Sequence, residues 1–256
     1  FKIPNLLRRI SAEGAFTQAF VPILAEYKTK KTKIEVNVLI SKVATLLGIF
    51  LVLITFLGVF GAPWLIYISA PGFISEPEKF NLTVNLLQIT FPYIFFISLV
   101  SMAGGILNTY GKFAVPAFTP VWLNISFIVA ALCFSDFFEQ PIKVLAWAVF
   151  FGGVLQLFFQ IPFLKKIGCI PQINLDLKDK GVWRILKLMG PAVIGVSIIQ
   201  ISLLINTIFA SFLSSGSVSW LYYADRLMEF PAGVIGVALS TILLPNLSKS
   251  FSKRLF

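Results

Sequence analysis

The sequence predicts an all-α, polytopic integral membrane protein with about seven transmembrane helices. Its composition is the first reason: 57% of the 256 residues are hydrophobic and only 12% are charged, whereas soluble domains carry about 25% charged residues. The second reason is that the apolar residues occur in runs of about 20 or more, the length at which a helix crosses a bilayer. The third is that most lysines lie in the short loops between these runs.

Seven apolar segments are the predicted spans, and proline or glycine near their ends predicts kinks and turns. They are residues 1–27, 36–68, 82–110, 113–134, 142–164, 184–213 and 217–247. A polar stretch separates the fifth span from the sixth. We therefore divide the chain into residues 1–166 with five spans, a cytoplasmic linker at 167–181, and residues 182–256 with two spans.

The distribution of lysine and arginine predicts the orientation of these spans. If the first span runs from outside to inside, 15 basic residues lie on the cytoplasmic side and only Lys79 and Lys143 lie outside. Cytoplasmic loops of membrane proteins carry such an excess of positive charge. The net charge of +10 is therefore explained by topology, and nucleic acid is not expected as a partner.

The first and seventh spans share a residue pattern without gaps, at residues 15–25 and 238–248. Alanine, a large apolar residue, a hydroxyl residue, an uncharged polar residue, proline and leucine recur in the same order. Both segments run from outside to inside, and same-direction repeats form the two lobes of some transporters. We interpret the pattern as an internal repeat. The alternative is chance similarity between two apolar helices with a late proline.

The first span contains ionisable residues, which are costly at membrane depth and mark functional pathways. Arg9 and Glu13 are four residues apart, so they share a helix face and are predicted to pair. Arg8 is rotated from Arg9 by about 100° on a helix. The pair would therefore neutralise one charge and leave Arg8 free for a ligand.

The seventh span holds a similar cluster of Asp225, Arg226 and Glu229. Arg226 can reach Glu229 three residues on. Two lobes that each present an arginine would suit an anionic substrate, because guanidinium binds phosphate oxygens bidentately. The alternative is that these side chains extend to the membrane surface.

Other chemistries lack the residues that they require. The chain has no histidine and only two cysteines, so no metal centre or cofactor is expected. A nucleophile would lack its commonest general base, and an enzyme is not expected. Polar residues of the sixth span are expected to serve helix packing more than to line a cavity; they are Gln200, Ser202 and Asn206.

Five segments of the chain closely resemble the MurJ (MviN) family, the lipid II flippases of the multidrug/oligosaccharidyl-lipid/polysaccharide (MOP) exporter superfamily. They are FKIPNLLRRISAEGAFTQAFVPILAEYK, APWLIYISAPGF, GGILNTYGKFAVPAFTPVWLNIS, LAWAVFFGGVLQL and SVSWLYYADRLMEFPAGVIGVALSTILLPNLSKS. The resemblance covers essentially the whole chain. It implies a two-lobed protein of fourteen helices, of which this chain holds the second to the eighth. Residues 1–166 would then be part of the N-lobe and residues 182–256 the start of the C-lobe.

The resemblance implies that the protein moves lipid II across the bacterial inner membrane by alternating access around a cationic cavity. Lipid II is the undecaprenyl-pyrophosphate-linked disaccharide-pentapeptide of peptidoglycan synthesis. Arg8 and Arg226 match arginines that are expected to contact the pyrophosphate. Glu13 matches a glutamate of the cavity, and Ser219 a serine at the outer start of the eighth helix. Lipid II and membrane lipids are the expected partners, with the cell-wall synthesis machinery as a further candidate.

Two departures from the family pattern limit what the resemblance carries over. The arginines of the family's first helix are absent, so this chain alone is not expected to flip lipid II. Some members hold sodium through an aspartate on the seventh helix, whereas the matching residues 184–213 contain no acid. We therefore expect no metal ion, and a drive from the membrane potential.

Three other functions are open on the sequence. Another exporter of the superfamily, either a polysaccharide-lipid flippase or a drug antiporter, is the nearest alternative, although Arg8 and Arg226 favour an anion over a drug cation. A membrane enzyme acting on polyprenyl phosphates is disfavoured by the scarcity of acids and the lack of histidine. A scaffold of the cell-wall machinery that transports nothing is the third.

Overall fold

The computed structural model describes residues 2–8, 14–176, 179–214 and 216–231. Within these ranges the regular elements are helices, with no β-strand among them, which confirms the predicted all-α class. The α-helices are α1 (Lys2–Arg8), α2 (Thr17–Lys30), α3 (Lys33–Phe60), α4 (Ala62–Ser69), α5 (Pro77–Thr90), α6 (Tyr93–Thr109), α7 (Ala114–Phe118), α8 (Pro120–Cys133), α9 (Ile142–Ile167), α10 (Lys180–Ser211) and α11 (Ser217–Pro231). Short 3-10 segments lie at Pro71–Ser75 and Ser135–Phe137.

Five helical stretches are long and apolar enough to cross a membrane. They are Lys33–Phe60, Pro77–Thr109, Ala114–Cys133, Ile142–Ile167 and Lys180–Ser211. They confirm the second to sixth predicted spans and a polytopic membrane protein. The first span falls on α1, α2 and residues 9–13, and the seventh on α11 and residues 232–247. Residues 9–13 and 232–247 lie outside the described ranges, as does the second copy of the repeat, so those two spans stay predictions.

The ends of α3 differ from the predicted span for identifiable reasons. The helix begins at Lys33 because Thr32 and Glu35 form a capping box. The backbone N–H of Glu35 donates to Thr32 Oγ1 over 3.3 Å, and that of Thr32 donates to Glu35 Oε2 over 3.0 Å. These bonds pair N–H groups that a helix start otherwise leaves without partners. The helix ends at Phe60, not at residue 68, because the chain turns at Gly61 into the separate helix α4.

Helix α9 lies against both α6 and α8 through adjacent glycines. A Cβ atom on Gly152 would lie 2.6 Å from Leu123 Cδ1 of α8. A Cβ atom on Gly153 would lie 2.8 Å from Tyr93 Cδ2 of α6. Both distances are shorter than a carbon–carbon contact, so glycine is what permits this approach.

The substitution Gly152→Val is expected to destabilise the bundle, because the added carbons overlap the side chain of Leu123 in α8. Overpacking of this kind costs about 1–3 kcal/mol. The matched control is Gly48→Val in α3, where a Cβ atom meets nothing within 4 Å. Thermal unfolding of the full-length protein in detergent should show a lower Tm for Gly152→Val than for Gly48→Val. Equal Tm values would contradict the packing described for α8 and α9.

Contacts at the two ends of the bundle agree with the predicted alternation of spans. At the lysine-rich end, Lys28 Nζ donates to the carbonyl of Thr109 over 2.7 Å. Helix α10 begins at this end, where Arg184 Nη1 lies 2.7 Å from Glu26 Oε2. At the other end, where α10 finishes, the N–H of Gly72 donates to the hydroxyl of Ser211. Predicted cytoplasmic residues thus share one end and predicted outside residues the other.

The described part of the predicted linker is held against α3 by several hydrogen bonds. Asn37 Nδ2 donates to the carbonyl of Gly168 over 2.8 Å. Ser41 Oγ accepts from the N–H of Gln172 over 3.0 Å, and Thr45 Oγ1 accepts from that of Asn174 over 2.9 Å. The three residues of α3 are spaced four apart, so they present one helix face to the linker.

A charged contact fixes the end of the linker at the start of α10. Lys42 Nζ lies 2.8 Å from Asp176 Oδ2 and 2.7 Å from Asp179 Oδ2. The other oxygen of Asp179 accepts from the N–H groups of Gly181 and Val182, so it caps α10. Burial raises the pKa of the Asp179 carboxyl, but the hydrogen bonds from Lys42 and the two N–H groups outweigh it and hold that pKa below its usual value. The division into lobes at this stretch stays a prediction.

The substitution Lys42→Met is expected to release the linker from α3. Hydrogen exchange at the amides of Gln172 and Asn174 should then quicken by about tenfold or more, because local opening exposes their N–H groups. The exposed Lys187 of α10 provides a control on the predicted cytoplasmic side, and Lys187→Met should leave both amides protected. Unchanged exchange in Lys42→Met would contradict the anchoring role of the ion pairs.

The same contact predicts a pH dependence. A carboxyl whose pKa is lowered on folding stabilises the fold at pH values above its unfolded pKa, about 3.9 for aspartate. This contribution of Asp179 is lost as the pH falls through the lowered folded value. The protection factors of the linker amides, which correct for the intrinsic pH dependence of exchange, should therefore begin to fall only below about pH 4.

Candidate functional site

A cavity of about 360 Å³ lies where α1, α4 and α5 face α10 and α11. Its lining is mainly apolar, and its hydrogen-bonding groups come from several helices. Members of the lining include Asn5, Ser69, Thr83, Gln200 and Thr207, together with charged residues of α11. The first helix therefore meets the last two described helices at one shared space.

The turn before α11 brings that helix against the cavity. Gly216 has φ of 103°, a left-handed backbone that residues with a Cβ atom adopt at a cost. Its carbonyl accepts from the N–H groups of Ser219 and Trp220, which starts α11. Helix α11 therefore begins directly after Gly216, and one face of α11 contributes to the lining.

That face of α11 carries the predicted charge cluster. Asp225, Arg226 and Glu229 all line the cavity. Arg226 Nη1 lies 3.2 Å from Glu229 Oε2, the pairing that their spacing predicts. Arg226 Nε donates to the hydroxyl of Tyr222 over 3.2 Å, and the guanidinium lies 5.4 Å from the centre of that ring. These contacts orient the guanidinium from two sides.

Part of the Arg226 guanidinium is left for a ligand. The contacts to Tyr222 and Glu229 use Nε and one N–H of Nη1. In the portion of the chain that the structure describes, the remaining N–H groups of Nη1 and Nη2 have no protein partner, and the side chain is half-exposed. Guanidinium N–H groups in a fork of this kind match the oxygens of a phosphate.

Arg8 is held differently from the expectation that it is free. Its Nε donates to Asn5 Oδ1 over 2.8 Å, and its side chain is half-buried. The prediction overlooked that residues three apart share a helix face, so the amide of Asn5 lies within reach. Asn5 lines the cavity, whereas Arg8 is not among the lining residues. In the described arrangement Arg8 therefore contacts a residue of the cavity wall and does not line the cavity itself.

The other predicted site residues have separate outcomes. Arg9 and Glu13 lie outside the described residues, so their pairing is untested. Ser219 is exposed and is not among the residues that line the cavity. Within the described lining two carboxylates accompany one arginine, so these residues alone do not form the expected cationic cavity.

Gln200 was assigned to helix packing, but the structure places it in the cavity wall. Its side chain is 6% exposed. Leu203, Leu204 and Thr207 line the same cavity and follow Gln200 at intervals of three, four and seven residues. That spacing defines one face of α10 and is visible in the sequence, but the sequence does not show that this face meets a cavity.

Comparisons with known proteins agree with the resemblance. A family model described as "Lipid II flippase MurJ" matches residues 1–254. The "Probable lipid II flippase MurJ" of Buchnera aphidicola subsp. Acyrthosiphon pisum is 52% identical over 251 residues, which are 98% of this chain and 49% of that relative. The "Lipid II flippase MurJ" of Burkholderia cenocepacia is 50% identical over 254 residues, again 98% and 49%.

A third relative extends the same result. The "Probable lipid II flippase MurJ" of Haemophilus influenzae is 45% identical over 260 residues, which are 99% of this chain and 51% of that relative. The chain spans about half the length of the curated relatives that it matches. With a family match from residue 1 to residue 254 and identities of about one half, the chain belongs to the lipid II flippase MurJ family.

Proposed function

We propose that the complete protein moves lipid II across the bacterial inner membrane. The observation that supports this most directly is the Arg226 guanidinium, which is oriented by Glu229 and Tyr222 and has unused N–H groups in the cavity. The pyrophosphate of lipid II is the group that such a fork binds. This chain, which spans about half of its relatives, supplies part of the binding site.

Binding of the pyrophosphate at Arg226 requires further positive charge. Asp225 and Glu229 lie in the same lining and repel an anion. Arg8 on α1, whose partner Asn5 lines the cavity, is a candidate for this charge, and exchange of its bond to Asn5 for a bond to phosphate would bring it into the site. Arginines on two helices that face each other across one cavity let the substrate be held from both sides. Release then follows when the two halves of the transporter separate.

The carboxylates have a role in this scheme. A transporter must bind its substrate tightly enough to take it up and weakly enough to let it go. Glu229 competes with the pyrophosphate for Arg226, because its Oε2 occupies one N–H of the guanidinium. The competition lowers affinity for the anion and favours its release.

The proposal is tested with the full-length protein in vesicles that carry lipid II in both leaflets. A membrane-impermeant enzyme that cleaves the pyrophosphate is added outside, and the protein is expected to make the inner-leaflet lipid II accessible. Vesicles without protein provide the baseline. A rate equal to that baseline would overturn the proposal, provided that a thermal unfolding transition shows the protein to be folded.

Contact with the cell-wall synthesis machinery is a further part of the proposal, tested by co-purification from cells.

A further inference from the structure

Gln200 in α10 is a buried polar side chain with unused hydrogen-bonding capacity. It is 6% exposed and lines the cavity. Among the described residues its carboxamide has no hydrogen bond, whereas the buried Gln156 and Gln160 of α9 both donate to Thr119. In the part of the chain that the structure describes, the side-chain carbonyl oxygens of Gln156 and Gln160 are enclosed without a partner, whereas the carboxamide atoms of Gln200 are reachable from the cavity. The arrangement is therefore the one expected of a group whose partner is a ligand.

Neighbouring side chains on the same face of α10 do not offer both a hydrogen-bond donor and an acceptor to a ligand. Leu203 and Leu204 are apolar. The hydroxyl of Thr207 donates to the carbonyl of Leu203 over 2.9 Å, so its proton is used within the helix. Gln200 is thus the group on this described face that can both donate to and accept from a molecule in the cavity.

The chemistry of Gln200 complements that of Arg226 on α11. Arginine only donates hydrogen bonds and an ionised carboxylate only accepts them, whereas a carboxamide does both. Sugar hydroxyl and acetamido groups also donate and accept. A ligand with an anionic part beside an uncharged sugar therefore fits a cavity whose walls carry Arg226 and Gln200.

We infer that Gln200 binds the saccharide portion of the substrate while Arg226 binds its pyrophosphate. This inference rests on the proposed function and adds a residue that recognises the sugar. It predicts that Gln200 discriminates between lipid II and undecaprenyl pyrophosphate, which carries the same anion without the sugar. Arg226 contributes to the binding of both.

The test measures the affinity of purified full-length protein for lipid II and for undecaprenyl pyrophosphate. Gln200→Met keeps the length of the side chain and removes both hydrogen-bonding groups. It is expected to weaken lipid II binding by about tenfold, the effect of about 1.4 kcal/mol, and to leave undecaprenyl pyrophosphate binding unchanged. Gln160→Met is the matched control, because it removes a buried glutamine that binds Thr119 away from the cavity. It is expected to lower the Tm and to leave both affinities unchanged.

The outcomes separate the inference from the proposed function. If Gln200→Met lowers both affinities equally, or lowers only the Tm, the assignment of Gln200 to the sugar is overturned. The same holds if the variant binds both ligands as the wild type does. If the wild type binds neither ligand, the proposed function fails and the inference fails with it.

Discussion

Replacement of Arg226 by alanine in the full-length protein is expected to abolish lipid II translocation. Arg226 is the cation in the described lining of the cavity, and its N–H groups are the ones proposed to bind the pyrophosphate. Each hydrogen bond to a charged group contributes about 1.5–3 kcal/mol, and the substitution would remove those to the pyrophosphate. The initial rate of translocation should therefore fall by about 30-fold or more.

Arg226→Lys is expected to be inactive as well. Lysine keeps the positive charge but has no planar fork, so it cannot hold Tyr222, Glu229 and a phosphate at the same time. The two variants together distinguish geometry from charge. A cavity that needs only positive charge would work with lysine, and the described contacts of Arg226 would then be incidental.

Matched arginines make this experiment specific. Arg184→Ala removes an arginine of α10 that pairs with Glu26 at the lysine-rich end of the bundle, away from the cavity. It should retain translocation. Arg8→Ala should lose it, if Arg8 leaves Asn5 to bind the substrate. Translocation at the wild-type rate in both Arg226→Ala and Arg8→Ala, with normal Tm values, would overturn the role of these arginines.

The sequence predicts what depends on the solvent and on local chemistry. Apolar runs long enough to cross a bilayer mark the five confirmed spans, because a helix satisfies its own backbone groups in lipid and needs about 20 apolar residues to cross it. The spacing of Arg226 and Glu229 predicts their contact, because it follows from helix geometry alone. The capping box at Thr32 and Glu35 is likewise visible in the sequence, since both partners lie within four residues.

Contacts between distant residues were not predictable in this way. The polar stretch after α9 is predicted only as a linker, because its partners Ser41 and Thr45 lie about 130 residues earlier and have no distinctive pattern in their own helix. Gln200 is predicted as a packing residue because most of the helices that form the cavity with α10 lie far from it in the sequence. Helical periodicity defines the face on which a residue lies, and only the tertiary arrangement shows whether that face meets another helix or a cavity.

A valine at Gly72 is expected to stop transport by preventing closure of the predicted outer end. The N–H of Gly72 donates to Ser211 Oγ over 3.1 Å, and a Cβ atom on Gly72 would overlap the carbonyl of Ser211. Gly72 precedes α5 in the N-terminal half, and Ser211 ends α10. The contact therefore joins these two parts of the chain at the end opposite the lysine-rich loops, and we propose that it closes that end. Backbone carbonyls at a helix end cannot move aside as a flexible side chain can.

Transport by alternating access requires each side to close in turn, so a protein that cannot close outside is expected to translocate at least about tenfold more slowly. Accessibility gives an independent readout. In the full-length protein with every cysteine, including Cys133 and Cys169, replaced by serine, a cysteine introduced by Thr207→Cys in the cavity wall should react faster with an impermeant thiol reagent from outside when Gly72→Val is present. Gly48→Val, which meets nothing within 4 Å, should change neither rate. Normal translocation and unchanged labelling in Gly72→Val would show that the Gly72–Ser211 contact is not part of the transport cycle.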